Sequence, residues 1–293
     1  MRPIRSMMYV PGHKEKWIDK VPTFGADVVV LDLEDSVPDH LKVEARNLVA
    51  AAIPRLKDGG TRLFVRTNKG RYAYSYDDLL AVVQPGLAGI IVTKAEDPED
   101  IEGLSRLIAE VEHVKKMPHG GVTMIPPIET ARAAQFVFEI ASNPRVETIC
   151  AVSAKGADLE RNFGFTWTPD GLETLYHRSQ AIIACKAAGK RFPIGGMWQE
   201  VHDLEGLRKQ ALFNKQLGFS GEIVLHPSNV SVVNEIYSPT KEQLDFYRGM
   251  IVAFAQAEKQ GEGAILYRGE HIDIAHVETA KSFLALWDKP EGR

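Results

Sequence analysis
The sequence predicts an α/β protein, a closed (β/α)8 barrel of the TIM type followed by a C-terminal helical arm. Short β-branched runs alternate with longer amphipathic segments almost to the end of the chain, the pattern of repeated βα units on a parallel sheet. There are eight such runs, which favours a closed barrel over an open sheet. At 293 residues and 44% hydrophobic content the chain can bury one barrel-sized core with an appendage, since α/β barrels take about 250 residues.

In order, the expected strands are SMMYV (6–10), DVVVLDL (27–33), TRLFVRT (61–67), AGIIVTK (88–94), GVTMIPPI (121–128), VETICAV (146–152), RFPIGGM (191–197) and GEIVLH (221–226). Helical stretches such as HLKVEARNLVAAAIPRLK and PEDIEGLSRLIAEVEHV separate them. The barrel then takes residues 1–237. Beyond it, SPTKEQ opens a helix over Lys241 to Gln260, started by Pro239-Thr240 and stopped at Gly261 and Gly263. The turn segment AILYRGEHIDIAH leads to a last helix over Val277 to Trp287. Residues 238–293 exceed what eight βα units need, so they are expected to form a packing arm or a lid. No internal repeat of about 20–50 residues is visible, which argues against a solenoid or propeller.

Composition narrows the function classes. With 35 basic and 39 acidic residues, a net charge of -4, there is no global electrostatic reason to bind nucleic acid or an anionic membrane. Cys150 and Cys185 have neither disulfide nor zinc-ligand spacing and read as buried free thiols. The opening MRPIRSMMYVPGHK has an apolar run too short for a signal peptide or span, and a cytoplasmic protein is expected.

Barrel active sites lie at the C-terminal ends of the strands. Reactive residues collect there: Glu34 and Asp35 after the second strand, Arg66 on the third, Lys94 on the fourth, Glu129 after the fifth, Asp158 after the sixth, and His226 on the eighth. Like charges at one mouth repel unless a cation or ligand sits among them. Carboxylates with an Arg and no Cys or paired His suit a hard, oxygen-binding ion such as Mg²⁺ or Mn²⁺ rather than zinc. Each residue also has a plainer reading. Glu129 heads a helix, where a carboxylate complements the dipole; Asp158 follows Gly156 and suits a turn or N-cap; Arg66 could neutralise Glu34 or Asp35; Lys94 suits a solvated strand end; and His226, before Pro227, suits a structural role. There is no G-x-S-x-G, H-E-x-x-H, P-loop or Rossmann glycine fingerprint.

Seven ordered blocks carry a resemblance: RSMMYVPG, GADVVVLDLEDSVPDHLKVEAR, LFVRTN, IPPIETARAA, KGADLERNFG, GFSGEIVLHPSNVSVVNEIYSP and GEHIDIAHVETAK. Together they resemble the HpcH/HpaI aldolase and citrate lyase β-subunit family over most of the chain. The resemblance implies that Glu129 and Asp158 bind Mg²⁺, with Glu34 and Asp35 reaching it through water. It implies that Arg66 holds a thioester carbonyl or the enolate derived from it. Tyr9, Lys14 and Lys20 map onto the malyl-CoA lyase contacts to the CoA arm, and Gly156, Ala157, Leu225 and His226 fall in the corresponding substrate and thioester loops. Asp273 matches the acid of a C-terminal lid that reaches a neighbouring subunit, which implies a homotrimer or a hexamer.

The chain departs from the family pattern at Ser153-Ala154-Lys155-Gly156, at Glu222 where a Lys is usual, and at Ile274-Ala275 after the lid aspartate. These bear on which acid and which acyl carrier are used more than on the metal and enolate chemistry. The implied activity is Mg²⁺-dependent cleavage or formation of a 3-hydroxyacyl-CoA, such as malyl-, citramalyl- or citryl-CoA, giving a thioester and a 2-oxo acid. Other readings are a carrier-protein-dependent citrate lyase β-subunit, a malyl-CoA thioesterase and a catalytically silent CoA-binding paralogue.

Overall fold
The computed structural model describes residues 3–287. The chain divides into a larger unit, Ile4–Tyr237, and a smaller one made mainly of the segment from Ser238 onward. The larger unit is an α/β fold around a curled, parallel seven-strand sheet. Its strands are β1 (Ser6–Pro11), β2 (Val28–Asp32), β3 (Arg62–Arg66), β4 (Leu87–Ile91), β5 (Thr123–Ile125), β6 (Ile194–Gly195) and β7 (Gly221–Val224). They lie in the order β5-β4-β3-β2-β1-β7-β6.

The strands alternate between two faces because strand side chains have a period of two. Met7, Val28, Val30, Phe64, Ile91, Ile125, Ile194 and Ile223 fill an inner cluster. Met8, Val29, Leu31, Leu63, Val65, Ile90, Met124 and Val224 join an outer cluster with helix residues such as Val49, Ile53, Leu104, Ile108, Ala181 and Leu207. Burial on both faces explains why VVVLD reads as an unbroken apolar run that ends in one charge. The curl is visible at the inner floor, where Arg62 of β3 makes two 2.7 Å hydrogen bonds to Glu147. Thr123 of β5 donates a third at 3.0 Å.

The sixth expected strand, 146–152, is not a regular strand. It forms single parallel bridges, Met124↔Val146 and Pro127↔Cys150 on one side and Cys150↔Ile194 on the other. Prolines at 126, 127 and 193 flank it and have no N–H to donate, so a continuous ladder cannot form. The segment is nevertheless tied to both sheet edges, through Cys150 N–H to Pro126 O (3.0 Å) and Ala151 N–H to Ile194 O (2.9 Å). Cys150 and Cys185 are buried and unbridged, as expected.

Helix starts follow local chemistry. Asp97 caps Pro98–Val114, Thr130 caps Ala131–Gln135, and Asp203 caps Leu204–Leu217, each through its side-chain oxygen. In the smaller unit, a capping box of Thr240 and Gln243 opens the helix Lys241–Glu258. The expected turn segment is instead a hairpin, β8 (Ala264–Tyr267) with β9 (Glu270–Asp273). Its two loop residues, Arg268 and Gly269, both have positive φ (47° and 87°), as a tight type I′ turn requires. The last helix, Ile274–Trp287, begins earlier than expected because Asp273 caps it: Ala275 N–H donates to Asp273 Oδ1 at 3.0 Å. Met250, Phe254, Ile272, Val277 and Ala280 form this unit's own core. Among the described residues, no helix is long and apolar enough to cross a membrane.

Candidate active site
Asp32 and Arg66 end neighbouring strands in register. Arg66 Nε and Nη2 donate to the two Asp32 oxygens at 2.6 and 2.7 Å, a fork-to-fork pair. Its remaining nitrogen, Nη1, lies 3.1 Å from Glu34 Oε2 and 3.8 Å from Asp35 Oδ2. Burial opposes ionisation of Asp32, but the bonds and charge of Arg66 outweigh it and hold its pKa below the usual carboxylate range. Arg66 is likewise held charged, the bonds to Asp32 overcoming its own desolvation. The Tyr9 ring lies beneath the guanidinium, 5.2 Å from centroid to Cζ, and burial pushes the phenol's pKa up.

Lys94, just beyond β4, is partly exposed, yet its ammonium is engaged by carboxylates. Its Nζ sits 2.5 Å from Glu34 Oε1 and 3.1 Å from Asp35 Oδ1. Its backbone has φ +48°, an uncommon conformation for a residue with a side chain. That turn aims its N–H at Glu129 Oε1, 3.3 Å away, while its carbonyl accepts Lys69 Nζ at 2.9 Å. Lys42 Nζ in turn fixes the Leu33 and Glu34 carbonyls, at 3.0 and 2.8 Å.

Glu129 stands between β5 and the Thr130 cap, and Asp158 is the first residue of the helix Asp158–Phe163. Burial first, and the Asp158 charge second, push the Glu129 pKa up to about 7. Asp158 pairs with Arg161, one turn along. A buried carboxylate whose ionisation is opposed by burial and by a neighbouring carboxylate is relieved by a cation beside it. Among the described residues no three His, Cys, Asp or Glu side chains converge as a ready ligand set. Two oxygen donors without sulfur or imidazole fit a hard ion that keeps several waters and takes substrate oxygens, the habit of Mg²⁺. The residues present therefore fit a magnesium-type site.

The larger unit thus brings Tyr9, Glu34, Asp35, Arg66, Glu129 and Asp158 into one electrostatic group. Gly156 (φ +67°) and Ala157, the N-cap, belong to the loop that delivers Asp158. Leu225 and His226 follow β7, where His226 Nδ1 lies 2.7 Å from Ser228 Oγ and its ring 5.4 Å from that of His202. Lys14 and Lys20 are exposed on either side of the short helix Glu15–Ile18. Asp273 belongs to the smaller unit, with Oδ1 2.6 Å from His276 Nδ1; that bond holds its carboxyl pKa below the ordinary value. Sequence reasoning missed Asp32 as the principal partner of Arg66. The available signal was an acid as the last residue of an otherwise apolar strand, which must be paired if buried.

The HpcH/HpaI aldolase/citrate lyase family model matches residues 5–227. The mitochondrial citramalyl-CoA lyase of Mus musculus is 31% identical over 97% of this chain and 86% of its own length. The (3S)-malyl-CoA thioesterase of Cereibacter sphaeroides is 27% identical, over 97% and 94%. Among solved structures, the protein CitE from Mycobacterium tuberculosis in complex with magnesium, acetoacetate and coenzyme A matches with a TM-score of 0.75 at 25% identity. It covers 98% of this chain and 99% of that one.

Proposed function
The chain belongs to the HpcH/HpaI aldolase/citrate lyase family and is a carbon–carbon lyase; on that premise we propose that it cleaves or forms a 3-hydroxyacyl-CoA through a thioester enolate. The products of cleavage are acetyl-CoA, or a homologue, and a 2-oxo acid. The observation that carries this reading is the division of labour at the mouth. Arg66 is kept charged by Asp32, while burial and the neighbouring Asp158 charge oppose ionisation of Glu129. The eight βα units are read as a closed barrel, supported by the bridges from residues 146–150 to both sheet edges.

Arg66 spends Nε and Nη2 on Asp32, and Nη1, 3.1 Å from Glu34 Oε2, is the nitrogen whose N–H would donate to a developing enolate oxygen while the Asp32 pair keeps the guanidinium fixed. Glu129 and Asp158 would hold Mg²⁺, with Mn²⁺ as a substitute, and Glu34 and Asp35 would meet it through water. When bound, the ion supplies Lewis-acid polarisation and a template for the oxo-acid oxygens. In the cleavage direction the substrate hydroxyl loses a proton to a base, the C–C bond breaks, and its electron pair becomes the enolate. In condensation Asp273, as its carboxylate, removes the acyl α-proton.

Lys14 and Lys20 are read as phosphate contacts and Tyr9, Gly156, Ala157, Leu225 and His226 as contacts to the acyl-CoA. Exposed lysines near β1 favour a free CoA ester over a protein-bound carrier. Residues 238–293 are read as a closing arm in a homo-oligomer, a trimer or hexamer, which sedimentation would test. A thioesterase reading is favoured by the malyl-CoA thioesterase likeness.

The test is Mg²⁺-dependent turnover of malyl-CoA, (S)-citramalyl-CoA and citryl-CoA, with glyoxylate, pyruvate, oxaloacetate and free CoA followed separately. A 2-oxo acid from one substrate, lost in both Glu129→Ala and Asp273→Ala, is expected. Hydroxy acid and CoA without oxo acid would establish the thioesterase, and no turnover of any of the three would refute the free-CoA reading.

A further inference from the structure
The carboxylates at the mouth are not neutralised evenly. Arg66 serves Asp32 with two bonds and reaches Glu34 with a third nitrogen. Lys94 bridges Glu34 and Asp35 at 2.5 and 3.1 Å. Among the described residues Glu129 receives the Lys94 backbone N–H alone, at 3.3 Å, and Asp158 has Arg161 on the rim. Without the Lys94 ammonium, Arg66 Nη1 would still face Glu34 Oε2 and Asp35 Oδ2 at 3.1 and 3.8 Å, but Glu34 Oε1 and Asp35 Oδ1 would be left turned toward the point that the ammonium fills. Such a pair competes for the same hard cations as Glu129 and Asp158.

We propose that Lys94 is a positioning residue whose ammonium stands where a second divalent cation would bind, so that an external ion is confined to Glu129 and Asp158. Its backbone and side chain act on the two acid pairs separately: the N–H orients Glu129, and the Nζ closes Glu34 and Asp35. The positive φ makes both possible at once, because it turns the N–H to one pair while the side chain runs to the other. This rests on the reading of Glu129 and Asp158 as the metal-holding carboxylates.

The discriminating variant is Lys94→Gly. Glycine adopts φ +48° without steric cost, so the N–H to Glu129 persists while the ammonium is removed. Mn²⁺ bound by the full chain is counted by loss of the free-ion electron paramagnetic resonance signal, with affinity from calorimetry and no turnover involved. Wild type should hold a single Mn²⁺, Lys94→Gly a second one, and added methylammonium should displace the second ion only. Lys94→Gln, which keeps the stem and loses the charge, should gain the same ion, and Lys94→Arg should not. Unchanged stoichiometry and affinity in both Lys94→Gly and Lys94→Gln would overturn the proposal. A wild type that binds no Mn²⁺ would instead refute Glu129 and Asp158 as the metal site. In that case a cation gained on removing Lys94 would still support the ammonium as a stand-in, and none gained would overturn it.

Discussion

Replacing Glu222 with Gln should flatten the pH dependence of stability between about pH 5 and about pH 8. Glu222 lies on the outer face of β7 and is buried. Its Oε1 accepts from Asn214 Nδ2 at 2.9 Å and Tyr237 OH at 2.7 Å, and its Oε2 has no partner among the described residues. Burial pushes the acid up to about 7 from 4.5, against the pull of those two bonds and of Arg178. The Arg178 guanidinium is itself engaged by Asn214 Oδ1 at 2.6 Å and Gly171 O at 2.5 Å. Between these values the folded chain keeps a proton that the unfolded chain has released. Folding is therefore weakened as pH rises from 4.5, and the loss is complete above about 7. At about 1.4 kcal/mol for each pH unit, the loss is at most about 3.5 kcal/mol. Gln keeps the accepting oxygen, cannot ionise, and removes this drift. Glu129, also raised to about 7, contributes to both proteins and cancels in the comparison. Urea unfolding followed by tryptophan fluorescence at the two pH values measures the difference. An equal decline in wild type and Glu222→Gln would show that Glu222 is already ionised in the fold, and the reasoning would fail.

Two further outcomes follow from the packing. Arg145→Met should cost about 3–5 kcal/mol, because Glu112 would lose its buried bidentate partner at 2.9 and 3.0 Å; a double change to Met at both positions should recover less than half of it, because Glu112 also accepts from the Gly120 and Val122 N–H groups at 2.9 Å and Arg145 donates to the Val122 carbonyl at 2.8 Å, as chemical denaturation would show. Gly221→Ala should destabilise by more than about 1 kcal/mol, since a Cβ there would fall 2.0 Å from the Ile4 carbonyl oxygen and 2.4 Å from that of Arg5; a melting temperature equal to wild type would refute the close β1–β7 approach.

Periodicity made the parallel sheet legible, because β2, β3 and β4 carry apolar residues on both faces, β2 and β3 end in the charges Asp32 and Arg66, and Lys94 follows β4. It could not show that prolines in the flanking segments reduce 146–152 to bridges, since that depends on which strands are neighbours. Glu34, Asp35, Arg66, Glu129 and Asp158 were legible as charges at or just after strand ends, and so was a contact of Arg66 with Glu34, which lies 3.1 Å from Nη1. Asp32 became the main partner of Arg66 only through strand register. Lys94 looked like an ordinary exposed lysine because nothing in TKAED signals a positive φ. The hairpin at Arg268-Gly269 was hidden for a similar reason: Arg is an unusual first residue for a turn that needs two left-handed positions.

The first strand of the chain is central to its sheet. β1 pairs with β2 and also with β7, with Ser6 opposite Glu222 and Met8 opposite Val224. During synthesis, β1 to β5 can associate as they emerge, but one side of β1 stays unsatisfied until the chain reaches residue 224. Contacts of such sequence separation are slow to form and leave apolar strand edges open to wrong partners meanwhile. A nascent chain truncated before Gly221 should therefore be a chaperone client, and one extended past Tyr237 should be released from that dependence.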